Sequence, residues 1–136
     1  MTFLLDTNVV SELRKSRPHG AVVAWRKSVP LHQIAIPAVV AAEVQTGIEM
    51  TRKQDPMKAR ELEVWLDRVL NYYTILPADA LIFREWARLM HGKSDDLSAD
   101  AMIAATARIH KLVIVTRNTK DFARFNVQLL NPFTAN

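Results

Sequence analysis

Cysteine is absent from this 136-residue chain, and glycine appears only three times. The first absence removes disulfide scaffolds, thiolate zinc sites and cysteine nucleophiles together, and it fits a reducing cytosol. The second leaves few positions suited to strained turns. Histidine is scarce too. His19, His32, His91 and His110 stand far apart, with no pair at the helical spacing that zinc sites use. No apolar run nears the ~20 residues a membrane helix needs, and the opening Met1-Thr2-Phe3-Leu4-Leu5-Asp6 lacks a basic leader region. A cytoplasmic protein is expected, with neither export nor membrane insertion. No linker-like stretch, repeat, low-complexity tract or block of like charge divides the chain, which predicts one domain over 1–136.

What is present is material for a core. Hydrophobic residues make up 49% of the sequence, enough at this length to bury one sizeable interior. The net charge of +4 permits a polyanionic partner such as nucleic acid without requiring one.

Along the chain, strand-like and helix-like segments alternate. Phe3, Leu4 and Leu5 form a short apolar run that stops at Asp6, as a strand buried on both faces does. Thr7 or Asn8 is expected to cap a helix carrying Val9, Val10 and Leu13, which fades into Arg14, Lys15 and Arg17 before Pro18. A second strand is expected over 33–36, then a helix over 38–51 opened by Pro37, with Glu43 on the face of Val39 and Gly47. Leu62, Trp65, Leu66, Val69 and Leu70 recur at helical spacing, as do Ile82, Phe83, Trp86, Leu89 and Met90, so these aromatics are read as core. Between those helices 73–76 reads as a strand. Beyond a polar loop at 92–97, Ser98 is expected to cap an alanine-rich helix over 99–110 whose first turn holds Asp100. The run 112–115 is the most strand-like in the chain and leads to Thr116, Arg117 and Asn118, with Asp121 close behind; 127–130 adds a last strand.

This alternation predicts a doubly wound α/β fold with a largely parallel sheet covered on both faces. Such sheets bind ligands beyond the carboxyl ends of their strands. Asp6, Glu43, Asp100 and Asp121 all fall at strand ends or in the helices that follow, so one sheet edge gathers them. Taken singly, each has a plainer reading as a turn, cap or surface residue. Gathered, carboxylates repel until a cation or a proton relieves them. An all-oxygen ligand set favours Mg2+ or Mn2+ over zinc. Such an ion lowers the pKa of bound water and offsets charge on a phosphodiester under attack. The amides opening the helix at Asp100 are expected to keep that carboxylate ionised. Thr116, Asn118 and Asn8 are candidates to hold the ligands in place. Arg14, Lys15, Arg17, Lys93, Arg117 and Lys120 are candidates for phosphate contacts. Asp95 and Asp96 are read as solvated loop charges.

The segments Leu4-Leu5-Asp6-Thr7-Asn8, Glu43 in the helix after Ile36-Pro37, Asp100-Ala101-Met102-Ile103-Ala104-Ala105-Thr106-Ala107, and Val115-Thr116-Arg117-Asn118-Thr119-Lys120-Asp121-Phe122 resemble the signature of PIN-domain toxins of the VapC and FitB type. The likeness spans nearly the whole chain. It implies a PIN-like three-layer α/β/α fold, Mg2+- or Mn2+-dependent endoribonuclease activity, a homodimer, and neutralisation by a cognate antitoxin. It further implies Asp6 and Asp100 as principal metal ligands, joined by Glu43 and Asp121.

Three rival readings fit the residues less well. A phosphotransfer enzyme with an aspartyl nucleophile commonly wants a second Asp two residues past the first, where this chain has Asn8. A receiver-type module needs a midchain acceptor Asp that is missing here. The stronger rival is a binding module, a PIN-like fold that acts with its antitoxin as a DNA-bound repressor complex.

Overall fold

A computed structural model describes residues 1–134, so the expected domain boundary at 136 lies just outside the described residues. Five strands and seven helices alternate along them. The first half carries β1 (Phe3–Leu5), α1 (Thr7–Arg14), α2 (Gly20–Ser28), β2 (Ile34–Pro37), α3 (Ala38–Arg52) and α4 (Pro56–Tyr72). The second half carries β3 (Thr74–Leu76), α5 (Ala80–Met90), α6 (Ser98–His110), β4 (Val113–Val115), α7 (Thr119–Ala123) and β5 (Leu129–Leu130). The sheet runs β3-β2-β1-β4-β5 and every pairing is parallel.

Parallel strands need crossover connections, and the helices supply them on both faces. Neighbours Leu4 and Leu5 point to opposite sides of β1, yet both are fully buried, as are Ile34, Ala35 and Ile36 in β2. The result is the expected three-layer arrangement. Each large aliphatic side chain buried this way contributes about 1.5–3 kcal/mol. Ala101, Ala104, Ala105 and Ala107 let α6 lie close to its neighbours, and all are buried. Two smaller apolar clusters sit beside the main core: Ile48, Ala59 and Leu66 between α3 and α4, and Ile82, Met102 and Ala105 between α5 and α6.

Several local expectations need correction. The helix α2 was not foreseen; His19 caps it by accepting the Ala21 N–H at 3.2 Å, and Trp25 packs edge-on against Phe3 at 5.3 Å. Only Val22 of α2 is buried, so its sequence carries little helical periodicity. Ser98 is the first residue of α6 and not its cap; its carbonyl instead accepts the Trp86 indole N–H at 2.9 Å. Phe83 is 49% exposed and so lies outside the core. The last strand shrinks to two residues because Asn126, at φ 53°, turns the chain just before it.

Candidate active site

Asp6 leaves the carboxyl end of β1 as a buried carboxylate, 4% exposed. Its own side chain caps α1, with Oδ1 accepting the Thr7 N–H at 2.7 Å, which corrects the expectation that Thr7 or Asn8 does so. That frees both side chains for other work. The Thr7 hydroxyl donates to Glu43 Oε1 at 2.7 Å, tying α1 to α3. The Asn8 amide donates to Asp6 Oδ2 at 3.1 Å and to Thr116 Oγ1 at 3.2 Å. Thr116, fully buried past the end of β4, donates its hydroxyl to Asp6 Oδ2 at 2.7 Å.

The loop after β4 is bound into the same network. Asn118 takes part through its main chain, its N–H donating to Thr116 Oγ1 at 3.0 Å. The N–H of Arg117 donates to Asn8 Oδ1 at 3.1 Å. The expected supporting residues Thr116 and Asn8 therefore act through their side chains, and Asn118 through its backbone. Thr7 was seen in the sequence only as a helix cap; its partnership with Glu43 depends on a contact 36 residues away.

The charges of the other three acids are all felt at Asp100. Burial is the largest influence on Asp6 and pushes its pKa up, opposed by the donors Thr116, Thr7 and Asn8 and reinforced by the charge of Glu43. Asp100, partly buried in the first turn of α6, is pushed up to about 6, by burial first and then by the charges of Asp6, Glu43 and Asp121. The helix amides were expected to keep it ionised. Desolvation and three like charges outweigh a dipole effect of about 0.3–1 kcal/mol. Asp121 is the most open of the four, 53% exposed on α7 with Arg124 at 3.9 Å.

All four acids act on Asp100 or are Asp100 itself, and the set contains only carboxylate oxygens, which suits a hard cation. Among the described residues, no three acidic or histidine side chains stand close enough to cage an ion. Mg2+ needs no such cage, since waters fill most of its octahedron and one or two carboxylates suffice. The donor set therefore fits.

The candidate phosphate contacts separate into distinct settings. The Arg117 guanidinium carbon lies over Phe133, 3.8 Å from the ring centroid. Arg14 sits over Trp65 at 5.8 Å, and Lys15 reaches the buried Glu12 at 2.9 Å. Arg17 is exposed on the link to α2, and Lys120 is exposed next to Asp121. Lys93 is partly buried, with its ammonium 5.8 Å from the Phe125 ring. Asp95 and Asp96 are exposed, as expected.

An open parallel sheet with a carboxylate cluster at the carboxyl ends of β1 and β4 defines an α/β protein built to work at that edge. The PIN domain model matches residues 3–127, and the chain belongs to the PIN-domain family, in the VapC and FitB toxin group. It is 34% identical to the toxin FitB of Neisseria gonorrhoeae, over 96% of this chain and 97% of that one. It is 32% identical to the VapC ribonuclease Y4jK of Sinorhizobium fredii, over 96% of each. A solved structure of FitAB bound to the IR36 DNA fragment superposes with a TM-score of 0.83 at 31% identity, covering 99% of this chain and 98% of that one.

Proposed function

We propose that this chain is an endoribonuclease whose carboxylates hold Mg2+ or Mn2+, and that it acts as the toxin of a toxin–antitoxin pair. The observation that carries the reading is the placement of Asp6, Glu43 and Asp121 around Asp100 at one sheet edge, near enough for their charges to help push its pKa up to about 6. A relative that is a VapC ribonuclease by name supports the choice of RNA. Bound there, a hard divalent ion supplies an acidified water and charge relief for the scissile phosphate.

The chain's own residues prepare that chemistry. Thr116, Asn8 and the Thr7 amide hold Asp6 in one orientation, so its remaining lone pairs face the site already aligned. Thr7 aims Glu43. Asp100 holds a proton below about pH 6, which a bound cation would have to displace. Arg117, its N–H held by Asn8 and its guanidinium over Phe133, is a candidate to meet a backbone phosphate on the Glu12 side of the site.

The antitoxin partner and the homodimer rest on the likeness to VapC and FitB toxins, and α5 leaves Leu81 and Phe83 exposed for self-association. A second reading, in which the chain acts mainly within a DNA-bound repressor complex, is favoured by the relative FitAB having been solved on DNA. Purified chain, freed of any antitoxin, separates the two. Incubated with single-stranded RNA and Mg2+ or Mn2+, it is expected to cut, and Asp6→Asn or Asp100→Asn is expected to abolish cutting while the protein stays folded. Inert wild type with both ions, or unchanged cutting by both variants, overturns the nuclease.

A further inference from the structure

Between the end of α1 and the start of α4 lies a cavity of about 540 Å3 lined by Arg14, Lys15, Ser16, Arg17 and Lys58. The end of α1, the link that follows it and the start of α4 supply four cations to it, and its lining holds no acid. Lys58, on α4, had no assigned role in the sequence. Arg17 has no carboxylate partner among the described residues, and Lys58 has only Glu61 at 3.7 Å, both side chains being exposed. Such surface pairs are weak and easily exchanged for a ligand.

The cavity is tied to the acidic site on two sides. Asp6 caps α1, whose eight residues span about 12 Å at 1.5 Å per residue, and Arg14 ends that helix. Arg117 provides the other link: its N–H is held by Asn8, and its charge reaches Glu12. Glu12 is only 6% exposed and also accepts Lys15 Nζ and the His19 N–H, each at 2.9 Å. One buried carboxylate therefore sits beneath Arg117 and Lys15 and eases the repulsion of cations crowded on this side.

We propose that the cavity of Arg14, Lys15, Arg17 and Lys58 is a second phosphate subsite, gripping the backbone of single-stranded RNA some nucleotides away from the bond that is cut. A stacked strand advances about 3.4 Å per nucleotide, so 12 Å corresponds to roughly three or four nucleotides. An acidic peptide also suits four cations, and either polyanion needs a bound divalent ion to approach Asp6, Glu43 and Asp100; a phosphodiester chain is favoured because it is what the acidic site acts upon in the ribonuclease reading. This subsite rests on the ribonuclease reading.

The test uses the Asp100→Asn chain, which holds RNA without cutting it, alone and with Arg17→Ala and Lys58→Ala added. Fluorescence anisotropy measures binding to labelled RNAs that share one cleavage sequence and are shortened a nucleotide at a time. The added substitutions are expected to weaken binding about tenfold for RNAs reaching four or more nucleotides past the cut, and progressively less for shorter ones. The log–log salt slope for long RNAs should fall by about 1.4, at 0.7 per lost phosphate contact. A loss that is equal at every length, or no loss, overturns the subsite. So does displacement of a long RNA by polyglutamate that depends on Arg17 and Lys58, which would assign the cavity to a protein partner. Because binding is read without cleavage, an inert wild type defeats the nuclease reading alone, and length-independent binding beside active wild type defeats the subsite alone.

Discussion

Thr116 and Asp6 are separated by 110 positions in the chain and by 2.7 Å in the fold, hydroxyl to carboxylate oxygen. The same hydroxyl oxygen accepts the Asn118 N–H and the Asn8 amide, so one buried side chain joins the ends of β1 and β4. Thr116→Val keeps the shape and removes these bonds. The variant is expected to lose about 1–3 kcal/mol of stability, because buried polar partners are left unsatisfied. Asp6 then titrates still higher, and cleavage falls at least tenfold. Thr116→Ser is expected to recover both. Thermal melts and single-turnover cleavage check this, and a Val variant as stable and active as wild type sinks it.

Asp100 gives the protein a pH signature. Its folded pKa, about 6, stands above the ordinary aspartate value of 3.8. The stability it lends is therefore fully present below pH 4 and is lost as pH rises through 6. In EDTA, the Tm difference between wild type and Asp100→Asn should shift against wild type across that window, leaving the variant more stable at pH 7.5. A difference that does not change between pH 4 and 7 refutes the assignment.

Divalent ions act in the opposite direction. Mg2+ or Mn2+ at a hundred times its Kd is expected to stabilise the wild-type protein by about 2.7 kcal/mol, since the unfolded chain offers no gathered acids. Below pH 6 the apparent affinity should fall about tenfold per unit, as the ion must displace the Asp100 proton. Calorimetry across pH measures this. The absence of any Tm shift at saturating Mg2+ and Mn2+ contradicts a metal site in the folded chain.

Away from the site, Lys111 ends α6 at φ 57°, a left-handed conformation that glycine adopts without cost. The Leu112 N–H reaches back to the Ala107 carbonyl at 2.9 Å, completing a Schellman turn. Lys111→Gly is expected to stabilise the fold by about 1 kcal/mol and to raise Tm by several degrees, with cleavage unaltered. A lower Tm rejects that account of the cap.

The parts of the molecule that were legible in the sequence are those where one physical rule acted alone. Leu4, Leu5 and Ile114 spell buried parallel strands because both faces of the sheet are covered. Asp6, Glu43, Asp100 and Asp121 were visible because an acid after a strand or in an early helical turn points to one edge. The features that escaped depend on two causes at once. The helix α2 buries only Val22, so periodicity was silent there. The cap of α1 fell to Asp6 over its hydroxyl and amide neighbours, since Thr7 and Asn8 are claimed by Glu43 and Thr116. The upward shift of the Asp100 pKa was hidden because the dipole at a helix start is local, whereas the charges opposing it come from three other elements. Lys58 joined the basic cavity only when α4 was folded against α1.

The sheet order places β1 at its centre, between β2 and β4. A ribosome builds these partners one after another, so Asp6 emerges early and waits for a hydroxyl added more than a hundred residues later. Until that moment the nascent chain carries acids without a frame. On the ribonuclease reading proposed above, a cell making this protein would be spared its activity through most of translation, and a neutralising partner would have that interval in which to be at hand.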